Sequence, residues 1–97
     1  MFTKSFVITI RIPDSTSLKY KRSIVKSIIG KTQNKFNVSI GEINYLNKLN
    51  ISSIGFAIIS NERKHVLKKE REIISFIELE LLGKAEIIEI VNDENKI

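Results

Sequence analysis

Polar and apolar residues alternate from Ser5 to Ile12, with Phe6, Ile8, Ile10 and Ile12 on one parity and Val7, Thr9 and Arg11 on the other. A period of two sends successive side chains to opposite faces of a sheet, so this segment predicts a half-buried strand. Pro13 cannot donate to a ladder, and the polar run from Asp14 to Ser17 ends the strand and offers Ser17 as a helix N-cap. Between Leu18 and Phe36 the spacing changes: Leu18, Val25, Ile28, Ile29, Thr32 and Phe36 recur every three or four residues, the period of an amphipathic helix. Gly30 inside that helix costs about 1 kcal/mol relative to alanine, which a close approach to the sheet would offset.

A second strand is expected over Asn37 to Tyr45. Val38 and Ile40 share one parity and Ile43 and Tyr45 the other, so a bulge near Gly41 and Glu42 is needed to restore register. Ile51 to Ser60 predicts a third strand, with Ile54, Phe56 and Ile58 on one face and Ser53, Gly55, Ala57 and Ile59 on the other. Asn61 is a candidate cap for a second helix reaching about Leu82, along which Val66, Leu67, Ile73, Ile74, Ile77 and Leu81 form a stripe that Glu70 interrupts. Gly83 suits the helix stop, Lys84 to Val91 a last strand, and residues 92–97 a polar tail. The order βαββαβ predicts an α+β split-βαβ sandwich, a four-stranded antiparallel sheet with two helices on one face and the other face open.

Length and composition narrow this further. The 97 residues suit one domain spanning 1–97, able to bury roughly two thirds of the surface of its unfolded chain. The apolar share of 42% and charged share of 28% are those of a folding globular chain. Without cysteine, the fold cannot rely on disulfides or thiolate zinc ligands. No apolar run nears the roughly 18 residues of a membrane span, and the first residues alternate instead of forming a signal-peptide core, so a cytoplasmic location without membrane partners is expected. Sixteen Lys and Arg against 11 Asp and Glu leave a net charge of +5, which favours polyanions but serves solubility equally well.

Candidate chemistry is sparse. His65 is the sole histidine, with no partner for a metal, and is expected at the solvated surface; no metal or cofactor is implied. The four glycines are scattered, so there is no phosphate loop. Glu70, Glu72, Glu78 and Glu80 alternate with Lys68, Lys69 and Arg71 as on a solvated helix, giving no catalytic pair. Glu42 stands alone in a neutral strand, where an inward or edge charge that discourages strand pairing is the simplest account.

The first helix carries the clearest binding signal. Lys19, Arg22 and Lys26 fall on one stripe beside the apolar face, and Lys31 and Lys35 lie on the opposite shoulder. Lys21 points toward the apolar arc, so it should snorkel or reach a carboxylate on a neighbouring strand. On the open sheet face Val7, Thr9, Gly55 and Ala57 offer no stacking platform, which argues against an RNA recognition motif. That small, weakly polar face and the apolar Ile87, Ile88, Ile90 and Val91 suit a second sheet or a protein partner.

The runs Ser17-Leu18-Lys19-Tyr20-Lys21-Arg22 with Val25-Lys26-Ser27, Phe36-Asn37-Val38-Ser39-Ile40-Gly41-Glu42, and Gly55-Phe56-Ala57-Ile58-Ile59-Ser60-Asn61 resemble the YlxP-like bacterial family, a domain of unknown function, across nearly the whole chain. The resemblance implies a ferredoxin-like sandwich and, because such proteins are often encoded beside translation and ribosome-assembly factors, a role near the ribosome. It implies no established activity. Lys19, Lys21, Arg22 and Lys26 correspond to the family's basic helix, and Asn37, Ser39 and Glu42 to its second-strand block, a candidate partner contact. Between Leu46 and Ser52 relatives tend to carry an acidic residue and a tryptophan followed by Gln-Arg, and Asn47, Leu49, Asn50 and Ile51 stand here instead.

Two function classes follow. In one, the chain is a non-enzymatic RNA-associated module that contacts rRNA or a ribosomal particle in translation or small-subunit assembly, with Lys19, Lys21, Arg22, Lys26, Lys31 and Lys35 as its cationic set. In the other, it is a protein-interaction or homodimerising module using the open face or the last strand.

Overall fold

The computed structural model describes residues 1–97. Its elements run β1 (Phe2–Arg11), α1 (Leu18–Lys35), β2 (Ser39–Asn44), β3 (Ile51–Ser60), α2 (Arg63–Leu81) and β4 (Glu86–Lys96). The strands form one antiparallel sheet in the order β2-β3-β1-β4, so the expected α+β ferredoxin-like βαββαβ sandwich is the observed one. β1 pairs with β3 from Phe2 opposite Ser60 to Arg11 opposite Ile51. That register puts Phe6 against Phe56, stacked with ring centroids 4.7 Å apart, and Ile8 against Ile54, all turned toward the helices. The core they form is closed from above by Ile24, Val25 and Ile28 of α1 and Val66, Ile73, Ile77 and Leu81 of α2.

The helix ends follow local chemistry. Ser17 Oγ accepts the Tyr20 amide hydrogen at 3.1 Å, satisfying a donor of the first turn as a capping serine should. Gly83 adopts φ 78°, where a side chain would be strained, and ends α2. At the start of α2 the capping position falls to Glu62, one residue past Asn61, and no side chain caps it. Ser60 Oγ accepts the Glu62 amide hydrogen instead. Gly30 does not touch the sheet: a Cβ there would meet nothing within 4 Å.

Three strands differ from the expectation, the first being β1, which begins at Phe2 instead of Ser5 and ends at Arg11 instead of Ile12. In β2 the irregularity falls between Glu42 and Asn44, so Ile43 is the extra residue. Register is restored without bringing Ile43 into the core. Instead its side chain lies over Gly55, where an added Cβ would sit 3.1 Å from Ile43 Cγ2. The larger correction is at the chain's end, because residues 92–97 are not a polar tail. Asn92 to Lys96 pair with Phe6 to Phe2 as the second half of β4, with a bulge separating this ladder from the pairs below Thr9. Lys4 of β1 and Arg63 of α2 fix this half-strand electrostatically. Lys4 faces Glu94 across the ladder and lies 3.1 Å from Glu70, and Arg63 Nε and Nη2 both donate to Glu94.

Candidate nucleic-acid interface

The helix α1 turns about 100° per residue, which separates its cations into three environments. Its buried arc holds Ile24, Val25, Ile28, Thr32 and Lys21. Lys31 and Lys35 fall on the flank facing α2, where Lys31 Nζ lies 3.0 Å from Glu80. Lys19, Arg22 and Lys26 occupy the far flank, exposed, and no ion pair engages any of them. The three lie within two turns, spanning about 10 Å along the axis.

Lys21 does not belong to that surface. Its side chain has no exposed area, and its ammonium lies 3.1 Å from Glu42 and donates to the Tyr45 carbonyl. Glu42 also accepts a hydrogen bond from Ser52 Oγ at 2.6 Å. The inward lean of Lys21 toward a strand carboxylate is therefore real, and it removes Lys21 from the set that can meet a phosphate. The pair clamps α1 to β2, and through Tyr45, at φ 62°, to the start of the β2–β3 connection. Lys48 donates its amide hydrogen to the same Tyr45 carbonyl at 3.0 Å, so the segment after β2 begins as a turn tied to α1.

Asn37, Ser39 and Glu42 do not form one contact surface either. Asn37 lies in the α1–β2 connection, where its carbonyl accepts from Lys69 Nζ at 3.3 Å. Ser39 stands opposite Ala57 and points with it to the open face, while Glu42, opposite Ile54, points inward. Glu70, expected on the solvated side of α2, is buried against Lys4, and its second oxygen has no hydrogen-bond partner. His65 is exposed, 3.9 Å from Glu62.

Two features escaped the sequence reading. One is the Arg63–Glu94 bridge. The hydrogen bond from Arg63 holds the Glu94 carboxyl below its usual range, while lost hydration opposes this and the charges of Arg63 and Lys4 add to it. Arg63 is correspondingly held above its own. The other is a groove of about 720 Å³ between the C-terminal end of α1 and the outer face of α2, lined by Lys35, Phe36, Lys68, Arg71, Ser75 and Phe76 among others. Lys68 and Arg71 were visible only among the alternating charges of the second helix, and their meeting with Lys35 depends on how the helices pack.

On the open face Val7 stands opposite Gly55, Ser5 opposite Ala57 and Gly41 opposite Gly55, so the centre of the sheet is uncharged and carries no aromatic ring. Thr9 and Ser53 hydroxyls bond to each other there at 2.7 Å.

Residues 4–91 match the family described as Protein of unknown function (DUF503). The chain belongs to this family. The DUF503 chain is 42% identical over 67 residues to the uncharacterized protein YlxP of Bacillus subtilis (strain 168), a match covering 69% of this chain and 73% of that one. Among solved structures it is similar to a de novo designed protein, LFR1 1, with a ferredoxin fold, at a TM-score of 0.53 and 13% identity, covering all of this chain and 88% of that one. It is also similar to a dimeric ferredoxin-like protein of unknown function from Thermobifida fusca, at a TM-score of 0.51 and 6% identity, covering 99% and 92%. At such identities the two structures speak for the fold of the DUF503 chain alone.

Proposed function

We propose that this chain is a non-enzymatic, cytoplasmic RNA-associated binding protein that contacts rRNA or a ribosomal particle during translation or small-subunit assembly. The observation that carries the reading is the unpaired stripe Lys19, Arg22 and Lys26. Lys19, Arg22 and Lys26 stand together, exposed and without an ion pair, within two turns of one helix flank, whereas Lys31, Arg11 and Arg63 are each drawn to a carboxylate. Three cations within about 10 Å match successive phosphates of a nucleic-acid backbone. Such contacts position a strand without reading its bases, and the ring-free open face supports backbone contact over base stacking. The reading is tested by binding to rRNA fragments across a salt series, with the Lys19→Glu, Arg22→Glu, Lys26→Glu variant as control. Unchanged binding by that variant would sink it.

A second reading has its own support. The uncharged centre of the open face, with Gly41, Gly55 and Ala57 giving a low floor beside Ile43, suits a second copy of the chain laid face to face, and the Thermobifida fusca protein of the same fold is described as dimeric. A molar mass by light scattering that stays at the 11.1 kDa of one chain at all concentrations would count against it.

A further inference from the structure

The groove between the helices differs from the stripe in one respect: its cations surround an apolar floor. Phe36 and Phe76 meet edge to face with centroids 5.7 Å apart, and Leu79, exposed, continues the floor. Lys35 Nζ lies over both rings, 5.0 Å from the Phe76 centroid and 5.9 Å from that of Phe36. Arg71 has no carboxylate partner, and Lys68 only loosely approaches Glu72 at 3.8 Å. Three cations from two helices thus converge with a single carboxylate, Glu72, and the Ser75 hydroxyl at the rim.

We infer that this groove binds a nucleotide, its flat base laid against the Phe76 and Leu79 floor and its phosphate held by Lys35 and Arg71. Three cations beside one carboxylate favour an anion, and the apolar floor favours an anion that carries a flat hydrophobic face. Inorganic phosphate satisfies the first preference only. Moving the flexible Lys35 ammonium from the rings onto the phosphate frees the Phe76 face for the base, and the Arg71 guanidinium can stack on a base as well as donate to phosphate. The source of the nucleotide is either an unpaired residue of an RNA strand or a free mononucleotide. The first source rests on the RNA reading above, and the groove itself does not, because it lies on the opposite flank of α1 from Lys19, Arg22 and Lys26.

The test is an NMR titration of the whole chain with adenosine and uridine 5′-monophosphate, and with inorganic phosphate in parallel. The expected result is saturable shifts confined to Lys35, Phe36, Arg71 and Phe76, with a dissociation constant of about 1 mM, roughly tenfold tighter than for phosphate. The charge-reversed surface variant Lys35→Glu, Arg71→Glu keeps the fold and loses these shifts, while the stripe variant retains them. No shift in the groove, equal shifts with inorganic phosphate, or preferential saturation by an acidic peptide overturns the inference. A short single strand competing more tightly than the monophosphate assigns the site to RNA, and equal competition assigns it to free nucleotide. If RNA fails to bind the stripe while the nucleotide shifts persist, the functional reading falls and the groove stands; the reverse pattern removes the groove alone.

Discussion

The Lys21 ammonium lies 3.1 Å from the Glu42 carboxylate, with the lysine side chain wholly enclosed and the glutamate 15% exposed. A charge taken this far from water is tolerated only because two oxygens replace its hydration, those of Glu42 and the Tyr45 carbonyl, while the Ser52 hydroxyl donates to the Glu42 carboxylate. The contact makes one lysine of the basic helix α1 a structural element.

Breaking that pair by Glu42→Gln leaves the ammonium buried without its counter-charge and should cost about 3–5 kcal/mol in urea denaturation. Lys21→Met combined with Glu42→Gln should cost clearly less than the two single changes summed, because neither partner is then stranded. RNA affinity measured on folded Lys21→Met should equal that of the parent. A loss equal to that of Lys26→Glu would return Lys21 to the binding surface.

Gly55 leaves room for the Ile43 side chain. Gly55→Val places methyl groups where Ile43 Cγ2 already lies 3.1 Å from a Cβ, and should destabilise by about 1–3 kcal/mol. Ile43 is 55% exposed, so Ile43→Ala costs little by itself and should restore most of the loss in the double variant. Additive melting-temperature losses would show that the contact is not the cause.

The second half of β4 carries a pH dependence. Glu94 has its pKa lowered in the folded chain, so the bridge to Arg63 contributes its full stability above the unfolded carboxyl value of about 4.3, and that contribution is lost as pH falls through the lower folded value. Carboxyl-carbon NMR should show Glu94 titrating below the usual range in the parent and within it in Arg63→Ala. Removing residues 92–97 should lower stability by about 2 kcal/mol or more, since it strips the ladder from Phe2 to Phe6 and exposes the Lys4–Glu70 pair. A truncated chain with the parent's urea midpoint would mean the ladder is decorative.

How much of this could be read from residues depends on how local each cause is. The period-two run in β1, the three-and-four spacing in α1, the Ser17 cap and the Gly83 stop are set by neighbours in sequence, and each is found near where the pattern puts it, β1 extending back to Phe2. Lys21 was also legible as inward, because its place on the helix arc follows from its neighbours alone. Asn92 to Lys96 hid because five polar residues at a sheet edge carry no alternation, and their order comes from β1, some ninety positions away. Glu70 resembled a solvated glutamate until Lys4 was brought beside it, and Lys35, Lys68 and Arg71 become one site only when α1 and α2 pack.

The central claim is that Lys19, Arg22 and Lys26 bind RNA phosphates, and fluorescence anisotropy with a labelled rRNA fragment across a salt series tests it most directly. Three phosphates of a single strand predict a slope of about −2 for log affinity against log salt, falling toward zero in the Lys19→Glu, Arg22→Glu, Lys26→Glu variant with a loss of at least about tenfold in affinity at low salt. A variant that binds as tightly as the parent, with the same slope, would contradict the claim.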